Sequence, residues 1–205
     1  MTRRVQRVEY HLNAHGIRSL PEPEIRAILR GADDLIMRGG RSLLVKVLKG
    51  SRAKDVISRS LDRSPAFGAF QHLTPEEVLA RIDWVILKGY LTLEYDRRLP
   101  LLIYTPKGWA IERETFANEL LYYLHQALTA DPRGIDLSYL KDKNREVIWL
   151  LLDKVAATGD QRYIPLLSAW AEIDYKKVRQ RIRQVIQQLS DRSSRGSTCH
   201  PDLTQ

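Results

Sequence analysis

The chain has 205 residues, a formal net charge of +8, and 43% hydrophobic against 28% charged residues, enough for one generous domain or two small ones with their own cores. No run approaches the roughly 18 apolar residues of a membrane span, and the single cysteine, Cys199, excludes an internal disulfide and a Cys-based zinc site. The opening MTRRVQRVEYHLNAHG is charged with no apolar stretch behind it, so a secretory signal is not expected and a reducing, cytoplasmic setting is. The charge is concentrated in two islands. Between Arg38 and Arg63 eight cations face Asp55 and Asp62, a local +6; between Lys176 and Arg195 seven cations face Asp191, again +6. Such islands suit a polyanion partner, or simply solvated helix faces.

Val5, Val8 and Leu12 predict a helix over residues 4–15. His11 and His15 then share one side of it, as a zinc pair would. Without an HExxH motif or a third ligand nearby, a surface or capping role is the expectation. Gly16 breaks this helix, and Pro21 and Pro23 open a second carrying Ile25, Ile28, Leu29, Ala32, Leu35 and Ile36, closed by Gly39-Gly40. Leu43, Leu44, Val47 and Leu48 form the stripe of the next. Gly50 suits its left-handed C-terminal position, and Ser51 suits the N-cap of a helix burying Ala53, Val56, Ile57 and Leu61. Arg52 and Lys54 sit where a helix dipole favours acids, and Ser51 lacks the Glu or Gln of a capping box. Free amides, a hydroxyl and two cations make a phosphate site; the alternative is that Asp55 and solvent satisfy this helix end.

SPAFGAFQHL reads as a loop anchored by Phe67 and Phe70. Thr74-Pro75-Glu76-Glu77 begins a helix that is apolar on two sides, with Val78, Leu79, Ile82, Val85 and Ile86 on one and Ala80, Trp84 and Leu87 on the other. Its net charge is −1, so it should pack against protein and leave base edges unread. Alternation through Leu91, Leu93 and Tyr95, returning through Ile103 and Thr105, predicts a hairpin tipped by Asp96-Arg97-Arg98-Leu99-Pro100. That tip serves a groove or strand junction, or only keeps the ribbon soluble. A long helix from Pro106 to about Thr129 ends at Asp131-Pro132-Arg133-Gly134, the expected domain boundary. Three helical segments follow. The last, from Tyr175 to Leu189, buries Val178, Ile182, Val185, Ile186 and Leu189 and gathers Lys176, Arg179 and Arg183 on another face. Residues 190–205 read as a disordered tail in which Cys199-His200 is incidental.

The expected fold is therefore mainly α with a small hairpin wing. Residues 1–40 pack on the core, 41–130 form a winged helix with a long C-terminal helix, 131–189 are helical, and 190–205 are the tail.

LVKVLKGSRAK, AFGAF, ILKGYL and YTPKG, in that order, resemble the RQC domain, the winged helix of RecQ-type helicases, over about residues 40–110. The whole chain resembles the small stand-alone RQC-minor DNA-binding proteins. The resemblance implies binding of duplex and fork DNA, with the LKGS turn on phosphates, the wing at the strand junction, and the recognition helix not used in the ordinary way. By position Lys49 and Ser51 match the family's phosphate-contacting Arg and Ser, and DRRLP matches the wing. Nothing resembles GxxxxGK[ST], so no helicase core is implied, and the wing has no aromatic at its apex for prying strands. EVIWLLLDKVAATGDQRYIPLL and DYKKVRQRIRQVIQQL resemble a short HEAT repeat, a unit that presents a surface to partners.

These readings predict a non-catalytic, structure-selective DNA-binding protein with a role in repair or replication, acting on DNA in preference to RNA. The candidate contacts are Lys49, Gly50, Ser51, Arg52, Lys54, Arg59, Arg97, Arg98, Lys107, Lys176, Arg179 and Arg183. A protein partner on the HEAT-like region and tail is the alternative, structured RNA a third. No membrane, cofactor or metal is expected. No His–carboxylate pairing, nucleotide-binding glycine loop or metal cluster points to an enzyme.

Overall fold

The computed structural model describes residues 7–128 and 136–196 and divides the chain into two compact units, residues 1–115 and 116–205. The division falls inside one helix. The Asp131–Gly134 boundary expected from sequence lies outside the described residues.

In the first unit, α1 (Glu22–Ala32) starts with Pro23 and two glutamates in its first turn and buries Ile25, Ile28, Leu29 and Ala32. Residues 37–39 then run beside the hairpin: Met37 N–H donates to the Leu102 carbonyl at 3.0 Å and Leu102 N–H to that of Gly39 at 2.9 Å. α2 (Arg41–Leu48) buries Leu44, Val47 and Leu48. The next helix, α3 (Lys54–Ile57), is only four residues long. α4 (Pro75–Leu87) opens with a complete capping box between Thr74 and Glu77. β1 (Leu91–Asp96) and β2 (Leu99–Tyr104) pair antiparallel from Leu91 opposite Tyr104 to Asp96 opposite Leu99, and Arg97 and Arg98 make the turn. α5 (Pro106–Ala127) follows.

The three helices that pack together are α1, α2 and α4, their buried residues joining Leu91 and Leu102 of the hairpin in one core. The predicted trio used residues 51–61 as its middle member. Those residues cannot fill that place: Val56 and Leu61 are buried, but Ile57 is 43% exposed. One helical turn has no stripe to offer, whereas α1 has a continuous one.

The helix predicted over residues 4–15 does not form in the described part. Residues 7–14 form neither helix nor strand, and the chain turns at His15-Gly16. Their polar groups find partners in the folded unit instead. Val8 N–H donates to the Arg98 carbonyl at 3.0 Å, and the Tyr95 hydroxyl donates to the Val8 carbonyl at 2.7 Å. Tyr10 lies 5.9 Å from the Tyr95 ring, and Asn13 N–H donates to Asp83 Oδ2 at 2.9 Å. Tertiary partners have outcompeted a helix too short to hold itself.

In the second unit, the rest of α5, a turn at Ser138–Leu140, α6 (Arg145–Thr158), α7 (Tyr163–Ile173) and α8 (Lys176–Gly196) are described. α6, α7 and α8 pack around Leu151, Leu152, Val155, Leu167, Trp170, Ile182, Val185 and Leu189. Asn144 caps α6, and Gly159 ends it at φ +68°. α8 continues to Gly196, so residues 190–196, expected in a disordered tail, are helical. Leu189 anchors this last stretch in the core, and the Ser190 hydroxyl donates back to the Ile186 carbonyl at 3.0 Å. The rest of the expected tail, including Cys199-His200, lies outside the described residues.

Candidate nucleic-acid interface

Sequence motifs that look separate in the chain meet in pairs. α2 ends in a Schellman motif, with Ser51 N–H on the Lys46 carbonyl and Gly50 N–H on that of Val47, both at 2.9 Å. Gly50 has φ +71°, and a Cβ there would lie 3.1 Å from Gly68 Cα. The AFGAF loop thus crosses LKGS glycine on glycine, and it bonds the same helix end through Gly68 N–H to the Val47 carbonyl and Phe70 N–H to the Leu48 carbonyl. Likewise LKGYL meets YTPKG. The Thr105 hydroxyl reaches the carbonyls of Gly89 and Tyr90 at 2.6 and 3.0 Å, and a Cβ on Gly108 would fall 1.9 Å from the Tyr90 oxygen.

The LKGS turn positions the first group of predicted contacts. Lys49 does not face outward. Its ammonium donates to the Gln71 carbonyl at 2.7 Å and also to the Leu73 carbonyl, tying α2 to the loop before α4. Ser51 is not an N-cap: that position belongs to Ala53, and the Ser51 hydroxyl accepts the Ala53 N–H at 3.3 Å. The preference for Ser at N-caps was the signal, but the helix starts two residues later. Arg52 and Lys54 are exposed, and Arg59 is exposed while donating to the Arg38 carbonyl at 2.9 Å. At the hairpin turn Arg97 and Arg98 are exposed, Arg97 in the left-handed region at φ +53°. Lys107 donates to the Lys88 carbonyl at 3.0 Å and sits 3.7 Å above the Tyr90 ring. Lys176, Arg179 and Arg183 are exposed on α8 in the second unit.

Ion pairs remove several cations from the first basic island. Arg41 binds Asp83 at 2.5 Å, the carboxylate being 3% exposed. Lys46 binds Asp55 at 2.6 Å, and that bond holds the Asp55 carboxyl below its usual range. The sequence offers no local sign of the Arg41–Asp83 pair, whose members stand 42 residues apart. Asp55 therefore answers Lys46 and not Arg52 or Lys54.

α4 is closed to a groove. Val78, Ala80, Ile82, Asp83, Trp84 and Val85 are all buried. Arg81 pairs with Glu24 at 2.9 Å, and Asn13 of the N-terminal segment reaches Asp83. Trp84 is 7% exposed and stacks on Tyr90 at 6.2 Å, a packing role as expected; Leu87, placed on the same face, is instead 56% exposed. A second polar cluster joins α1 to α5: Arg30 stands 3.4 Å from Asp33 and 3.7 Å from the fully buried Glu112. The Tyr104 hydroxyl donates to the Leu29 carbonyl at 2.7 Å, and burial, then the nearby Glu112 and Asp33, push its pKa up. This cluster ties α1 to α5. Among the described residues no group of three His, Cys, Asp or Glu side chains could hold a metal, and no helix is long and apolar enough to cross a membrane.

Three helices, a paired hairpin and an edge segment beside its second strand define a winged-helix domain. Residues 22–120 match the family model of the RQC domain, so this stretch is an RQC-type domain, a class of nucleic-acid-binding domain found in RecQ helicases. The matched range begins at α1, in keeping with α1 as the first helix of the core. No curated protein matches the chain, and no solved structure does.

Proposed function

We propose that this protein is a non-catalytic, structure-selective DNA-binding protein, recognising duplex or fork DNA through its RQC-type domain. The observation that carries the reading is the sorting of charge in that domain. α4, the helix that would read a major groove, buries six of its residues, carries exposed Glu76 and Glu77 and has its Arg81 paired with Glu24, while Arg52, Lys54 and the hairpin-tip Arg97 and Arg98 stand exposed. Phosphates are then held by the Arg52–Lys54 turn, with the Ser51 region fixing its geometry, and the tip arginines enter a groove or junction. Arg59 and Lys107 are further contacts in the same domain, and Lys176, Arg179 and Arg183 are contacts in the second unit. Binding through phosphates selects shape over sequence.

The test is fluorescence anisotropy on fork, blunt duplex and single-stranded DNA, and on an RNA duplex, at two salt concentrations. Arg52→Glu/Lys54→Glu should lower duplex affinity by about tenfold or more and flatten the salt dependence by about 0.9 for each phosphate no longer neutralised. A folded double variant with unchanged affinity and slope overturns the assignment. Stronger binding to the RNA duplex would move the protein to structured RNA. A protein-adaptor role for the HEAT-like region has its own support in Ile173, an apolar side chain 39% exposed on α7. Stoichiometric capture of one partner without DNA affinity at low salt would favour it.

A further inference from the structure

The second unit has a cleft of about 480 Å³ whose lining includes Lys143, Arg145, Lys176 and Lys177, together with Tyr175 and the carboxylates of Asp142 and Asp174. All four cations are exposed, and among the described residues none of them is held in an ion pair or hydrogen bond. The cleft of the first unit that borders Lys46 and Lys49 differs in this respect. There Lys46 is paired with Asp55, and Lys49 is turned to two carbonyls. The two acids in the second cleft are already engaged by neutral donors. Asp142 accepts the Tyr175 hydroxyl at 2.7 Å, and Asp174 accepts the Trp170 indole N–H at 2.7 Å and the Tyr175 N–H at 2.6 Å. An excess of positive charge is left crowded around one concavity, a repulsion that a bound polyanion relieves.

Tyr175 adds a feature that phosphate binding alone does not need. The residue is 57% exposed, yet its side chain is held by the hydroxyl on Asp142 and its backbone by the N–H on Asp174. The Lys141 ammonium lies 5.3 Å from the ring centroid, bringing a fifth cation to the same place. A fixed, exposed aromatic ring among cations is a platform for an unpaired base, whose face is free; in a duplex those faces are already stacked.

We infer that this cleft is a single-strand nucleic-acid site, with phosphates on Lys143, Arg145, Lys176 and Lys177 and a base stacked on Tyr175. It rests on the reading of the protein as a nucleic-acid binder and gives the second unit the unpaired arm of a fork. Of the predicted α8 contacts, Lys176 lines the cleft; Arg179 and Arg183 do not.

The experiment uses the full chain with labelled oligothymidylate and a blunt duplex, followed by anisotropy, with circular dichroism to confirm folding. Lys176→Glu/Lys177→Glu should weaken oligothymidylate binding by about tenfold or more and flatten its salt dependence by about 0.7 for each phosphate no longer neutralised. Its effect on the duplex should be several-fold smaller. Tyr175→Ala should lose about tenfold on oligothymidylate, and Tyr175→Phe, which keeps the ring but loses the bond to Asp142, should lose several-fold less. Unchanged oligothymidylate affinity in the reversal variant overturns the site, and so does an equal loss on both ligands. Wild-type protein that binds duplex but not oligothymidylate defeats this inference and leaves the proposed function standing. Tyr175-dependent oligothymidylate binding without duplex binding does the reverse.

Discussion

Gly108→Ala is the substitution for which the structure gives the sharpest expectation. Gly108 is not in the left-handed region, so backbone dihedrals alone give no reason for glycine. The reason is space: an added Cβ would sit 1.9 Å from the Tyr90 oxygen and 2.8 Å from its carbonyl carbon. Ordinary C···O approach is roughly 3.3 Å, so the Tyr90 carbonyl or the start of α5 must shift by more than about 1 Å. That carbonyl accepts the Thr105 N–H at 3.2 Å and hydroxyl at 3.0 Å, and both bonds hold α5 against the end of α4. Overpacking plus the weakening of two bonds amounts to roughly 2–4 kcal/mol, a fall in Tm on the order of 10 °C. Gly89→Ala is the control. Gly89 has φ +71° but open space around its Cβ, so it should lose only about 1–2 kcal/mol. Thermal and urea unfolding would be followed by tryptophan fluorescence, since Trp84 and Trp109 report on the first unit. If Gly108→Ala proves as stable as Gly89→Ala or more so, the close approach of LKGYL and YTPKG does not hold these elements together.

Two further outcomes are expected. Lys49→Met should destabilise the first unit by about 1–3 kcal/mol, because carbonyls of Gln71 and Leu73 lose a charged donor, and should leave the salt slope of duplex binding unchanged; an unchanged urea midpoint with a slope reduced by about 0.9 would instead make Lys49 a phosphate contact. Asp174→Ala strands the indole N–H of the fully buried Trp170, and urea unfolding of the second unit should show a loss of about 1–3 kcal/mol, with Asp174→Asn losing less because one acceptor oxygen remains.

Local sequence sufficed for elements whose signal lies within their own residues. The stripe of α1, the Gly50 helix stop, the Thr74–Glu77 capping box, the alternation of the hairpin and the buried face of α8 were all legible. So were the two apolar sides of α4, from which Val78, Ile82 and Val85 and also Ala80 and Trp84 are buried. The charged residues of the candidate site were legible as residue types, but their availability was not. Whether a lysine binds a phosphate or its own protein depends on which acceptor the fold brings within about 3 Å. Lys49 is drawn to carbonyls more than twenty residues away, Lys46 to Asp55, and Arg41 to Asp83. The non-helical N-terminal segment is of the same kind. Its helical spacing is real, but the carbonyl of Arg98 and the carboxylate of Asp83 offer its amides partners that no local pattern reveals. The four motifs of the RQC resemblance were legible as motifs. Only the tertiary structure explains why they occur together: Gly50 crosses Gly68, where an added Cβ would be tight at 3.1 Å, and Gly108 rests on Tyr90, where one would have no room. Composition and periodicity settled most of the elements, whose signals lie among neighbours in the chain, but not the N-terminal segment, the length of α3 or the end of α8. Which cations remain free for a ligand was decided by neighbours in space.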